Sequence, residues 1–200
     1  MLMPAFHRFP DEAAIIGRIL AGYGELEYLM AMCLGAAMSD ELTAQRVLFQ
    51  MKSERVKVAD SLLEPLCRRA RLLGPYSAAY GGMRHCAKIR NQYAHSNWAD
   101  HIESGLFFVN LQESTKSHDS LNHEWRHVDV NLLTMQEDFL FNTMQWYDYL
   151  RDQFDLLNGK TRSAFFSPPS RPQQPPLYNP PESHIPPWII LNNDQQKETP

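Results

Sequence analysis

A chain of 200 residues with 44% hydrophobic and 11% aromatic side chains can bury one sizeable core, which sets the expectation of a single domain with a tail. Its 21% charged residues and net charge of -4 exclude a polycation. Charge is uneven, however: from Lys52 to Arg90 nine Lys and Arg stand against three Asp and Glu, so this stretch carries +6 and the remainder -10. Such a local field attracts phosphate without making the whole protein basic.

The opening MLMPAFHRFPDE lacks the charged-then-apolar layout of a secretory leader. Pro10-Asp11-Glu12 reads as a helix start, with acidic groups at the positive end of the dipole. Ile16, Ile19, Tyr23, Met30, Cys33 and Ala37 recur at helical spacing and carry this helix to about Met38. Its apolar run LEYLMAMCLGAAM is interrupted by Glu27 and is shorter than the ~20 residues that span a bilayer. Cys33, Cys67 and Cys86 are odd in number and sit in apolar helical context, as buried thiols of a reducing compartment do. A cytoplasmic protein with no membrane partner is expected.

Ser39-Asp40 punctuate, and a short helix is predicted from about Glu41 to Lys52. A third starts near Ser53, turns Val56, Ala59, Leu63, Leu66 and Ala70 inward, and is expected to end at Gly74-Pro75. The fourth runs from about Tyr76 to Ser96. After Trp98, GLFFVNL and EWRHVDV have strand character on either side of a polar loop, Gln112 to His123, which predicts a hairpin or extended insert at about 99–130. Leu133, Phe139, Met144, Trp146, Leu150 and Phe154 then resume the helical period up to a C-capping Gly159. From residue 160 to residue 200 the chain is proline-rich, which favours an extended or disordered tail that buries little. Its Trp188, Ile189, Ile190 and Leu191 form an apolar patch suited to fold back or to dock on a protein partner.

The fourth helix ends in KIRNQYAHSNW, where Arg90, Asn91 and His95 stand at the edge of an otherwise apolar element. Asn, His and Ser are ordinary punctuation at a helix end, and Arg90 would also serve as the ion-pair partner of Glu27. The same residues suit phosphate chemistry: an imidazole takes and returns a proton near neutral pH, and a guanidinium stabilises charge on phosphate oxygens.

The pattern Arg90-Asn91-Gln92-Tyr93-Ala94-His95 resembles the HEPN superfamily, whose mark is an arginine, a polar residue and, four to six residues on, a histidine. It is also similar to the corresponding segment of mannitol-repressor-like bacterial helical proteins. The resemblance covers about Pro10 to Gly159 and implies an all-α, up-and-down HEPN-like helical bundle over 1–159. It further implies a homodimer and metal-independent RNA cleavage, with Arg90, Asn91 and His95 as catalytic residues and no cofactor. A toxin-antitoxin or phage-defence context accompanies such proteins. HEPN toxins that carry a regulatory tyrosine two residues after the histidine are not matched, because Asn97 stands there and Trp98 follows. The competing expectation is a non-catalytic helical regulator or adaptor that binds protein.

Five residues of helix turn through roughly 500°, which leaves Arg90 and His95 roughly 140° apart, whereas Asn91 and His95 share a face. Two copies paired about a two-fold axis would bring both motifs into one cleft. Arg84 and Lys88 lie on the face of Asn91 and His95, and Arg68, Arg69 and Arg71 add to a candidate phosphate track. Glu27, on an apolar stripe, needs a cation, for which Arg90 and Arg55 are candidates, while Tyr93 reads as packing. HEWRH, His123 to His127, matches a zinc-protease pattern, but that pattern needs a helix. On a strand its histidines would sit roughly 13 Å apart, so no metal site is expected.

Overall fold

The computed structural model describes residues 4–51, 54–101, 105–110, 125–171 and 173–179. Six helices and three strands carry them. A single turn of helix, α1 (Pro4–Arg8), precedes α2 (Pro10–Met38), which starts on Pro10 with Asp11 and Glu12 in its first turn. It stops where Ser39 takes φ +58° and the Ser39 and Asp40 amides bond back to Ala36 and Gly35. Asp40 then caps α3 (Glu41–Gln50) by accepting from the Thr43 amide at 3.0 Å. The turn between the two is tight enough to require glycine at position 35. A Cβ there would lie 2.7 Å from the backbone of Glu41.

α4 (Arg55–Arg69) ends at Ala70 and at Arg71, whose φ is +60°. Gly74-Pro75 does not terminate it, contrary to expectation. Both lie in the first turn of α5 (Leu73–Ala94), where the amides have no intrahelical partner and proline loses nothing. α5 stops at Ala94, and Ser96, expected to be its last residue, already begins a strand.

β1 (Ser96–His101), β2 (Gly105–Asn110) and β3 (Arg126–Val128) form one antiparallel sheet in that order, with Trp98 opposite Phe108 and Leu106 opposite Val128. The strand character of the insert is present, and a third strand joins the expected pair. The predicted polar loop lies outside the described residues. α6 (Val130–Leu157) closes the domain, capped by Asp129, which accepts from the Leu132 amide at 2.8 Å.

The chain is mostly helical, as expected, but its helices do not simply alternate in direction. α2 and α6 run the same way: Arg18 bonds Glu137 near one end, and Asn158 reaches the Ala36 carbonyl at the other. α4 shares that direction, with Arg55 at Glu27 and Cys67 beside Cys33. α5 runs against all three, and α3 provides the crossover. Leu26, Met30, Leu34, Leu63, Met83, Tyr147 and Leu150 fill the centre. A second cluster joins Ile15, Ile16 and Ile19 to Ile89, Tyr93, Phe108 and Leu133, and fixes the sheet across the far end of α5.

The described part of the proline-rich segment has neither helix nor strand, yet it does not leave the domain. It turns back at Gly159 (φ +71°) and runs antiparallel along α6. Asp152 accepts from the Phe165 and Phe166 amides, Asn142 donates to the Ser170 carbonyl, and Gln136 donates to the Pro176 carbonyl. Extended chain rich in proline cannot pair with itself, but its carbonyls can be satisfied by side chains, and here those of Ser170, Pro175, Pro176 and Leu177 are. The Trp188–Leu191 patch lies outside the described residues.

Candidate nucleic-acid interface

Where α4 and α5 diverge in front of α2, they leave an open cleft of about 720 Å³. One face of α5 supplies Tyr80, Arg84, Ala87 and Asn91 at steps of four, three and four, with Arg90 beside them. The first turn of α4 adds Arg55, Val56 and Lys57, and α2 adds Tyr23 and Glu27. Three guanidinium groups and one ammonium therefore line the cleft with a single carboxylate, Glu27, while the Lys57 ammonium is also paired with Glu54 at 3.0 Å.

Each arginine is held by neighbouring side chains or backbone within the domain. The Arg90 guanidinium lies 5.8 Å from the Tyr23 ring centroid, and its Nη1 donates to Asn91 Oδ1 at 2.9 Å. Arg84 sits 6.0 Å from the Tyr80 centroid. Arg55 donates to Glu27 Oε2 at 2.6 Å and to the Met51 carbonyl at 3.2 Å, and lies 5.6 Å from the Phe49 ring. Of the two cations proposed for Glu27, Arg55 is the one that pairs with it. Burial pushes the Tyr23 phenol up to about 12, with Glu27 adding to the effect and Arg90 opposing it, so it stays a neutral donor at physiological pH.

Arg90, Asn91 and Arg84 thus come together, joined by Arg55 and Glu27. Lys88 is exposed outside the cleft lining. His95 is the C-cap of α5, exposed and one turn beyond Asn91, and it too is not part of the lining. Within one chain, therefore, the cleft does not bring Arg90 and His95 together.

Arg68, Arg69 and Arg71 belong to the other end of α4, a rise of ~20 Å from Arg55, so they do not extend this cleft. Arg68 is paired with Glu64 one turn earlier. Tyr93 is core: its phenol donates to Gln136 Oε1 at 2.6 Å, its ring packs on Trp98 and Phe108, and burial holds its pKa above the ordinary range.

Tyr23, Tyr80 and Lys57 were not singled out by sequence. Helical spacing put Arg84 and Asn91 on one face of α5 but grouped them with Lys88 and His95 instead of Tyr80, and Tyr23 reads as core; only the crossing of α2 beneath α5 brings it under Arg90. The three cysteines are buried, and burial pushes the Cys67 and Cys86 thiols up to about 12, far from a reactive thiolate. His127 of HEWRH lies on β3, while His123 is outside the described residues. Among the described residues, no three His, Cys, Asp or Glu side chains gather as a metal site, and no helix is long and apolar enough to cross a membrane.

No family model, curated protein or solved structure matches this chain. The fold and the cleft define a mostly helical protein with a small antiparallel sheet and a basic, aromatic-edged surface cleft.

Proposed function

We propose that the chain is a HEPN-like RNA-binding protein that seats backbone phosphate in the cleft of α2, α4 and α5, and that it cleaves RNA without a metal as a homodimer. The observation that carries this reading is the convergence of Arg55, Arg84 and Arg90 on a lining whose one carboxylate is Glu27, with Lys57, itself paired with Glu54 at 3.0 Å, and Asn91 beside them and the Tyr80 ring also in the lining. Guanidinium groups bind phosphate oxygens in a fork, and a ring beside them offers a base a stacking surface. Resemblance of the Arg90-to-His95 segment to the HEPN motif supports RNA over other polyanions.

Cleavage would draw on His95 of one copy and Arg90 of the other, because the two do not share a cleft in one chain. The neutral imidazole would take the proton of a ribose 2′-OH. The oxygen then attacks the adjacent phosphorus, Arg90 stabilises the charge on the phosphoryl oxygens, and the His95 imidazolium returns its proton to the 5′-oxygen as the P–O5′ bond breaks. The products are a 2′,3′-cyclic phosphate and a 5′-hydroxyl. Exposure of His95 is what such a meeting needs.

The test is RNA breakdown in EDTA, with an all-deoxy strand as control. Arg90→Ala and His95→Ala should each abolish cleavage while the fold is kept by circular dichroism. Mixing the two inactive proteins after co-refolding should restore about a quarter of wild-type activity, since half of the dimers then carry one intact composite site. Intact RNA with the wild type, together with unimpaired binding, would leave the binding half of the proposal and remove the catalytic half.

A further inference from the structure

Each of the three arginines in the basic cleft rests against an aromatic ring from a different element: Arg90 on Tyr23 of α2, Arg84 on Tyr80 of α5, and Arg55 on Phe49 of α3. The first two rings line the cleft, whereas Phe49 is not part of the lining. It stands 45% exposed at the end of α3, beside the face that Ala44 and Leu48 turn to the core. α3 runs antiparallel along α2, with Glu41 against Gly35 and Gln45 at Met32, and so brings Phe49 to Tyr28. Tyr28 is 41% exposed. The two ring centroids are 6.5 Å apart and their planes differ by 26°, an offset stack in which neither ring eclipses the other.

A short helix such as α3 buries one stripe, here Ala44 and Leu48, and the position after Leu48, about 100° round, is ordinarily polar. Instead a phenylalanine stands there, pairs with an equally exposed tyrosine and touches an arginine of the cleft wall. Apolar side chains exposed singly are ordinary, but two stacked rings continuous with a basic cleft are not. Arg55 is the joint between them. Its Nη1 is fixed on Glu27 Oε2 and its Nε on the Met51 carbonyl, while the side chain stays 24% exposed. Cations for the backbone with rings beside them for the bases are what an unpaired strand uses. A duplex keeps its base faces stacked inside and offers such rings nothing.

We propose that the Tyr28–Phe49 pair is a stacking subsite for one unpaired base, and that a strand seated in the cleft leaves it across Arg55 onto these rings. The inference rests on the proposed seating of RNA phosphate in the cleft and adds a subsite that the cleft itself does not contain. Two part-exposed rings offer far less than the roughly 800 Å² a side that a stable contact between copies of the chain buries, but they match the face of one base. Stacking involves no phosphate, so this subsite adds affinity without adding to the salt dependence that the arginines produce.

The probe is a short unstructured RNA carrying one 2-aminopurine, a base whose fluorescence is quenched by stacking, moved along the strand position by position. The host is the full chain with His95→Ala, which keeps the cleft and blocks cleavage. Phe49→Leu and Tyr28→Leu, each keeping an apolar side chain, should abolish the quench at one position that the host quenches. They should also weaken binding about 3- to 30-fold with the slope of log affinity against log salt unchanged. An abasic nucleotide at that position should weaken the host to the same extent, and Phe49→Leu should then cost nothing more. The strand annealed to its complement should bind host and variants alike. RNA held through the cleft, as its loss in Arg84→Ala reveals, with both leucine variants equal to the host overturns the subsite and leaves the cleft reading standing. Absence of RNA binding overturns both. Leucine variants that lose self-association in sedimentation while the quench persists assign the pair to contact between copies, which overturns the subsite as well.

Discussion

Arg90 and Tyr23 meet face-on at the floor of the basic cleft, with the guanidinium 5.8 Å from the ring centroid, although they belong to helices that run in opposite directions. That contact aims Arg90 outward and leaves its remaining donors for a ligand. Replacing Arg90 or Arg84 by alanine should weaken RNA binding about 5- to 30-fold at low salt. Each should also reduce the slope of log affinity against log salt by about one. Fluorescence anisotropy across a salt series reads both quantities.

The same pair separates ring from hydroxyl. Tyr23→Phe keeps the aromatic face and should leave RNA affinity within about twofold. Tyr23→Leu removes a cation–ring contact of about 0.5–1 kcal/mol and should weaken binding about 2- to 5-fold. Equal losses in the two variants would assign the effect to the phenol instead.

Glu27 has opposite effects on stability and on binding. Glu27→Gln leaves the half-buried Arg55 guanidinium without its carboxylate, which should lower unfolding stability by about 1–2 kcal/mol in urea titration. It also removes the one negative group of the cleft, so RNA should bind more tightly. A variant that is less stable yet binds better would place the ion pair where ligand and fold compete for the same cation.

The docked proline-rich segment should respond to acid. Burial, ahead of the Pro175 carbonyl that opposes it and Lys88 that adds to it, holds the His85 pKa below its ordinary 6.5. A group whose pKa is depressed on folding contributes stability that is complete above 6.5. That contribution is lost as pH falls through the lower folded value, because the unfolded chain then binds the proton more readily. Unfolding monitored between pH 7.5 and pH 5 should therefore show declining stability. His85→Phe should flatten the part of that decline due to this residue.

Gly82 marks a close approach of α5 to α6. A Cβ at this position would lie 2.5 Å from Thr143 Oγ1 and 2.8 Å from Thr143 Cγ2, both on a side chain that is itself buried. Gly82→Ala should destabilise by about 1–3 kcal/mol, and adding Thr143→Ala should recover part of that loss. Chemical denaturation of the two variants decides it.

Much of this protein was legible along the chain because the relevant interactions are local. Apolar residues three and four apart placed α2, α6 and the start of α4, punctuation placed α3 and α5 within three residues of their bounds, and β-branched and aromatic runs placed β2 and β3. The exceptions have local causes that pull two ways: Gly74-Pro75 serves a helix start as well as a helix end, and Ser96 suits a cap as well as a strand. The Arg90–His95 segment stood out for its residue types alone.

What only the tertiary structure decided is which of the basic side chains act together. Arg68, Arg69 and Arg71 are as basic as Arg55 and Arg84, but a rigid helix carries them ~20 Å away, while the crossing of α2 under α5 brings Tyr23 and Glu27 to the cleft. The docking of Pro175–Asn179 was equally invisible. Proline-rich sequence announces an extended chain, but its hold on Gln92, Gln136 and His85 runs through backbone carbonyls, which every residue has and no pattern records.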